Sequence, residues 1–396
     1  MSGRAAIALA AALLAFLCAG LWLGGHPSNL PEAVRDAFVS QPSGLTAEAA
    51  EVIQRNYYRP VGEQELSNAS LQGMVRELRR RHRDRFSEYF SPEALEGFDQ
   101  QIEGRFSGIG LTVVPVPRGL RAAHVFPRSP AERAGIEPGD TIVSVGGESI
   151  AGTSSAEATA KIKGPEGTRV TVGVRDAKTG ELRQLTMTRA EVTLPNVSAR
   201  TERRDGRTLG YVRMLGFSEG SHAQLAHGIR KVEREGAKGI VLDLRANPGG
   251  LLEEAVLSAS LFLPKGELVV STRSRTQGRG THETVGGTLP RRPLVVLIDR
   301  NTASAAEILT AALADDGGAT VVGTRSYGKG VFQEEKPLDN GGALKLTVGE
   351  YFTPSGVNLA ESHGIHPDVK ASDDPATPAD EAEGRAFGVL SGKLAG

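Results

Sequence analysis

The sequence predicts a multidomain chain of mixed α+β and α/β class, with helices first, a β-rich module second and an α/β domain last. Three observations predict it. Apolar residues recur near a 3.6 spacing over residues 45–102, short β-branched runs split by Gly and Pro fill residues 106–190, and apolar strands alternate with apolar helices over residues 209–369. A chain of 396 residues has room for two or three cores, at about 150 residues per domain.

Taken in order, residues 1–25 read as an export segment: Ala5 to Leu23 carries no charge, follows Arg4 and gives way to polar sequence at His26. At about 1.5 Å per residue such a run spans most of a bilayer core, so a cleaved leader and a retained anchor in the plasma membrane both fit. Either places the body outside the cytoplasm, at the cell surface or in a periplasm. Leu17 before Cys18 argues against lipoprotein cleavage. A Pro-containing spacer (26–44) leads into a helical region (45–102), where Ala47, Ala50, Val52 and Ile53 are followed by Leu71, Met74, Val75 and Leu78. The basic run Arg79 to Arg83 is followed by Asp84 and Glu88, which makes it a solvated helix face.

Residues 103–190 form the β-rich module, with strands expected at 110–114, 141–145 and 170–174. The phrase Ser129-Pro130-Ala131-Glu132-Arg133-Ala134-Gly135-Ile136-Glu137-Pro138-Gly139-Asp140-Thr141-Ile142 resembles the centre of a PDZ domain. Such domains add an extended peptide as a strand and capture its terminal carboxylate on backbone amides. Ser107, Gly108, Ile109 and Gly110 would supply those amides. The plainer reading of this stretch is a tight turn.

Residues 191–370 form the α/β domain. A buried strand at 239–244, the turn Asn247-Pro248-Gly249-Gly250 and a helix at 251–263 are followed by a second unit, strand 294–298 and helix 304–314, closed by Gly317-Gly318. In the tail (371–396), an acidic, Pro/Ala-rich linker over 373–383 is expected to have little fixed structure.

Composition excludes several function classes. Lys and Arg number 46 against 47 Asp and Glu, so a net charge of −1 provides no whole-chain attraction to nucleic acid. The single cysteine, Cys18, lies in the export segment, leaving no disulfide framework, cysteine nucleophile or cysteine-built zinc site in the body. His222 and His227 are five apart, one too many to share a helical face as metal ligands. His363 and His366 stand beside Gly364 and Pro367 in what reads as a surface turn. No metal or cofactor is expected.

The residues that carry chemistry are Ser304 and Lys329. A serine hydroxyl is a weak nucleophile until a neighbouring base takes its proton. A lysine can do so if burial keeps it neutral. The local reading of Ser304 is a helix cap, since Ser304-Ala305-Ala306-Glu307 fits a capping box. Lys329 closes a GxxxxGK turn, Gly323 to Lys329, that imitates a phosphate-binding loop. Gly330 stands where that loop needs Ser or Thr, and Val331-Phe332-Gln333 reads as strand where it needs helix, which argues against nucleotide binding.

Three ordered motifs, residues 239–250, 301–309 (Asn301-Thr302-Ala303-Ser304-Ala305-Ala306-Glu307-Ile308-Leu309) and 323–333, continued by Tyr351-Phe352-Thr353-Pro354-Ser355-Gly356, resemble the carboxy-terminal processing (tail-specific) proteases over residues 45–370. The resemblance implies a ClpP/crotonase-like α/β core with Ser304 as nucleophile, Lys329 as base and Gln333 orienting the lysine. It implies an oxyanion hole from the Ala305 amide and one from the 247–250 turn, Gly249 in first place. It also implies substrates that are proteins or peptides with free C-terminal tails, and a homodimer through the N-terminal helices as in some relatives, although ordinary packing explains those helices equally well. Ala306 replaces a serine usual two residues after the nucleophile, and Lys163 stands where relatives often carry an arginine linked to PDZ-mediated activation. A silent PDZ scaffold and a crotonase-like acyl-thioester enzyme are the competing readings.

Overall fold

The computed structural model describes residues 45–374 and 376–395; the expected export segment and spacer lie outside them. Among the described residues no helix is long and apolar enough to cross a membrane. The chain divides into two units, residues 1–83 and 84–396.

In the first unit the helices Leu45–Asn56 and Glu63–His82 account for the predicted 3.6 periodicity. The basic run is a solvated face: Glu77 pairs with Arg80 at 2.7 Å and with Arg81 at 2.6 Å, one helical turn away.

In the second unit, the helix Pro92–Glu103 is preceded by a short strand, Glu88–Phe90, that the helical reading of 45–102 missed. Tyr89 and Phe90 pair with Leu344 and Ala343, some 250 positions away, so nothing local signals the strand. The β-rich module is a sheet in the order Leu111–Val116, Gly119–Val125, Thr141–Val145, Arg169–Arg175, Leu182–Thr188. Leu111–Val116 is an edge strand of that sheet. Its core, with Ile109, Ile142, Val172 and Val174 buried, is closed by the helix Ser155–Ile162, which Ser154 and Glu157 start with a complete capping box.

The α/β domain is a six-stranded sheet in the order Val197–Arg204, Arg207–Met214, Ile240–Asp243, Leu294–Ile298, Thr320–Gly323, Val369–Lys370, parallel except for its first hairpin. Every residue of Ile240–Asp243 and of Leu294–Ile298 is buried, because both faces of a parallel sheet are covered. One face packs on Leu225, Ile229, Ala255, Ile308 and Leu309 of three helices. The other packs on Ala386, Phe387 and Leu390 of the helix Glu381–Lys393. A five-stranded antiparallel sheet carries Val331–Pro337 and Ala343–Phe352 beside this domain.

The last helix takes in the end of the acidic stretch expected to have little fixed structure. Asp380 accepts from the Glu383 amide at 2.7 Å and starts the helix, while the Arg245 guanidinium holds Asp380 at 2.8 Å and Asp373 at 3.0 Å. Charges that read as solvated in sequence are here partners of a largely buried arginine, itself fixed by Asp243 at 2.7 Å.

Candidate active site

Three neighbouring parallel strands deliver the chemistry to one edge. The turn 247–250 follows Ile240–Asp243, Ser304 follows Leu294–Ile298, and Lys329 follows Thr320–Gly323. Ligand sites in parallel sheets lie at this carboxyl end because the loops diverge there and leave a crevice.

Ser304 precedes the helix Ala305–Asp315 with φ 56° and ψ −123°. An ordinary N-cap residue has extended backbone. A non-glycine residue held here costs about 1–3 kcal/mol, and such strain gathers at functional sites, as in strand-to-helix nucleophile turns. Capping is therefore only part of the account of this serine. The reverse arm of the predicted box does form, with the Ser304 N–H donating to Glu307 Oε2 at 2.9 Å.

Glu307, fully buried, does more than cap. Its carboxylate also accepts from the Ser326 hydroxyl, from the Gly328 N–H at 2.7 Å and from the Lys329 N–H at 3.0 Å. Burial raises its pKa, and these hydrogen bonds oppose the rise. The glycine turn is fitted as closely. Gly249 has φ 96°, and a Cβ there would stand 2.8 Å from the Ser304 Cβ and 2.9 Å from the Ala305 N. Only glycine tolerates both the conformation and the contact. Ala303 N–H donates to Asn247 O at 3.0 Å, which ties the serine loop to this turn. The Gly249 N–H itself donates to Asn247 Oδ1 at 2.9 Å.

Ser304, Ala305, Gly249, Lys329 and Gln333 all line one cleft of about 430 Å³, with Phe98, Ile102, Leu252, Ile308 and Phe332 among its apolar walls. Burial pulls the Lys329 amine down to about 8, with Lys345 adding to the effect and Glu307 opposing it. Lys329 Nζ rests 4.8 Å from the centre of the Phe86 ring, and no hydrogen bond joins it to Ser304 in this conformation. Gln333 donates from Nε2 to Thr347 Oγ1 at 3.2 Å, and Thr347 in turn donates to Asp84 Oδ1 at 3.0 Å. Lys329 and Gln333, four positions apart, line the same cleft but do not belong to one regular strand. Lys329 precedes the strand, and a bulge between Phe332 and Gln333 shifts the register.

At the β-rich module, Phe106, Gly108, Ile109 and Gly110 line a groove with Leu111 of the edge strand and Thr159, Ile162 and Lys163 of the facing helix. Arg105–Gly108 is not a turn but a strand, paired with Ala190–Thr193. The Ser107 hydroxyl is spent on Gly164 O at 2.7 Å. Lys163 Nζ lies 3.4 Å from Gln100 Oε1 and 5.9 Å from the centre of the Phe106 ring. His222 Nδ1 lies 2.9 Å from Glu254 Oε2. Among the described residues no three His, Cys, Asp or Glu side chains gather as a metal site.

Sequence reasoning gave no role to Glu307 beyond capping, and none to Phe86, Thr347 or Tyr351. Glu307 stands three positions from Ser304, whereas Phe86, Thr347 and Tyr351 meet the site from other segments, and the ordered motifs around Glu307 and Tyr351 offered a signal.

Comparison with known proteins adds the following. Residues 208–371 match peptidase family S41, and residues 123–176 match the PDZ domain. The carboxy-terminal processing protease CtpA of Bacillus subtilis is 34% identical over 82% of this chain and 67% of its own length. The carboxyl-terminal-processing protease of Synechocystis is 33% identical over 85% of this chain and 80% of its own. A solved S41 protease structure from Bacteroides fragilis, 19% identical, shares the fold with a TM-score of 0.51 over 92% of this chain and 100% of that one.

Proposed function

The chain belongs to peptidase family S41, the carboxy-terminal processing proteases, and from that premise we propose an exported serine endopeptidase that receives protein tails on its PDZ groove and cleaves them with Ser304 and Lys329. The observation that carries this reading is the convergence of a strained serine and a lysine drawn to about 8 on one cleft.

In the proposed reaction, neutral Lys329 takes the Ser304 proton as Oγ attacks the scissile carbonyl. The lysine stem must first swing its amine from the Phe86 ring to Ser304. Gln333 orients that amine after trading its bond to Thr347. The oxyanion falls to the Ala305 N–H, at the first position of its helix, and to Gly249, which must share or release its bond to Asn247. The amine leaving group takes the proton back from Lys329, and water, deprotonated by the same base, releases the acyl group. No metal or cofactor enters this scheme.

The tail would add as a strand beside Leu111–Val116, with amides of Ser107, Gly108, Ile109 and Gly110 meeting its carboxylate. The division at residues 103, 191 and 371 belongs to the same proposal. So does export, with anchorage by residues 5–23, whose support is their uncharged composition. Pairing of two copies would be sought at the exposed Val52, Ile53 and Met74.

The test uses an unstructured protein with a free or blocked C-terminus, its products read by mass spectrometry. Ser304→Ala should abolish cleavage while tail binding persists. Cleavage by that variant, or loss of binding together with cleavage, would refute the assignment.

A further inference from the structure

We propose that Tyr351 is a positioning residue for the nucleophile, its phenol O–H donating to Ser304 Oγ. This deepens the reading of Ser304 and rests on it.

The Tyr351 side chain lines the catalytic cleft and is 2% exposed, yet its hydroxyl has no hydrogen-bond partner among the described residues. Buried hydroxyls are almost always paired, because leaving one unmet forfeits its water bonds for nothing. Packing alone would be served by phenylalanine. The groups that act on this phenol are the Ser304 hydroxyl and, at longer range, the Glu307 carboxylate. The first is a partner of matching chemistry.

The main chain that carries the ring is tied down. Tyr351 N–H donates to Gly330 O at 3.1 Å, and Asn358 Nδ2 donates both to Tyr351 O at 3.2 Å and to Gly330 O at 3.1 Å. One clamp thus joins the tyrosine to the residue that follows Lys329.

The valences of the serine oxygen suit the arrangement. Oγ bears one proton and two lone pairs. The proton points to the lysine amine, one lone pair accepts from the phenol, and the other attacks the carbonyl carbon. When the Oγ–C bond forms and the proton passes to Lys329, the tyrosine bond survives unchanged, so the phenol orients the nucleophile without exchanging a proton. Burial raises the phenol pKa, the Ser304 hydroxyl opposes the rise and the Glu307 charge adds to it, and the net upward shift keeps Tyr351 protonated and able to donate.

The experiment compares Tyr351→Phe with the parent on a tail peptide, with rates counted per serine titrated by a fluorophosphonate. We expect kcat to fall about tenfold, the size of one oriented hydrogen bond, with KM unchanged and the melting temperature equal or higher. A kcat within twofold of the parent would overturn the proposal. So would a rate loss that moves KM and melting temperature with it, since that is the mark of a packing role. The parent reading fails separately: if Ser304→Ala cleaves, the nucleophile is wrong whatever Tyr351 does.

Discussion

In the proposed reaction Lys329 serves as the base, and its surroundings favour that role. Desolvation penalises the ammonium, and Lys345 repels it, so the amine loses its proton near pH 8 where a free lysine would wait for about 10.4. The sign follows: below that point the protonated, inactive form dominates, and each unit of rising pH makes about ten times more base. We therefore expect kcat/KM to climb about tenfold per unit up to roughly pH 8 and then level. An acid limb centred below pH 6 would assign the base elsewhere. That the lysine needed an apolar wall was legible from its chemistry. Which wall was not, because Phe86 lies far upstream of Lys329 and Lys345 reaches it from the second strand of the hairpin formed by Val331–Pro337 and Ala343–Phe352.

Elements were legible in proportion to how local their signal is. The strands Thr141–Val145 and Leu294–Ile298 have the bounds their β-branched runs predict, and the serine helix is displaced by a single residue. Misses came where the cause lies across the sheet. Glu88–Phe90 exists only through its partner strand, and the bulge beside Gln333 leaves no sequence mark. The turn sits a little earlier than read, at Arg245 and Ala246, and the reach of the 247–250 segment to the serine needed coordinates. Gly249→Ala tests that reach: the new methyl would press on the Ser304 Cβ and the Ala305 amide. Turnover should fall by at least about 10²-fold, the scale of a lost oxyanion donor, with tail binding at the PDZ groove intact. A near-normal rate would show that the turn lies farther from the reaction than drawn.

For residues 84–396 as a whole, the central sheet is completed from behind by the last helix, a part the acidic composition of residues 373–383 disguised. Phe387 and Leu390 are fully buried against Tyr211, Val241 and Val295, and Arg245 ties the entry to that helix with three aspartates. Phe387→Ala should cost about 3–5 kcal/mol of stability, read by denaturant midpoint, and should lower activity only through the fraction unfolded. A smaller loss, below about 1 kcal/mol, would mean that the helix is peripheral. The buried residues Ala382, Ala386, Phe387 and Leu390 lie along one face of that helix, a spacing the acidic composition hid.

A single carboxylate, Glu307, grips the main chain at both halves of the proposed dyad. Neither half can drift alone: a disturbance that frees the nucleophile's loop also unmoors the segment bearing the base. The machinery thus resembles a latch more than a dial, and damage near it would sort molecules into competent and dead populations instead of slowing every copy a little.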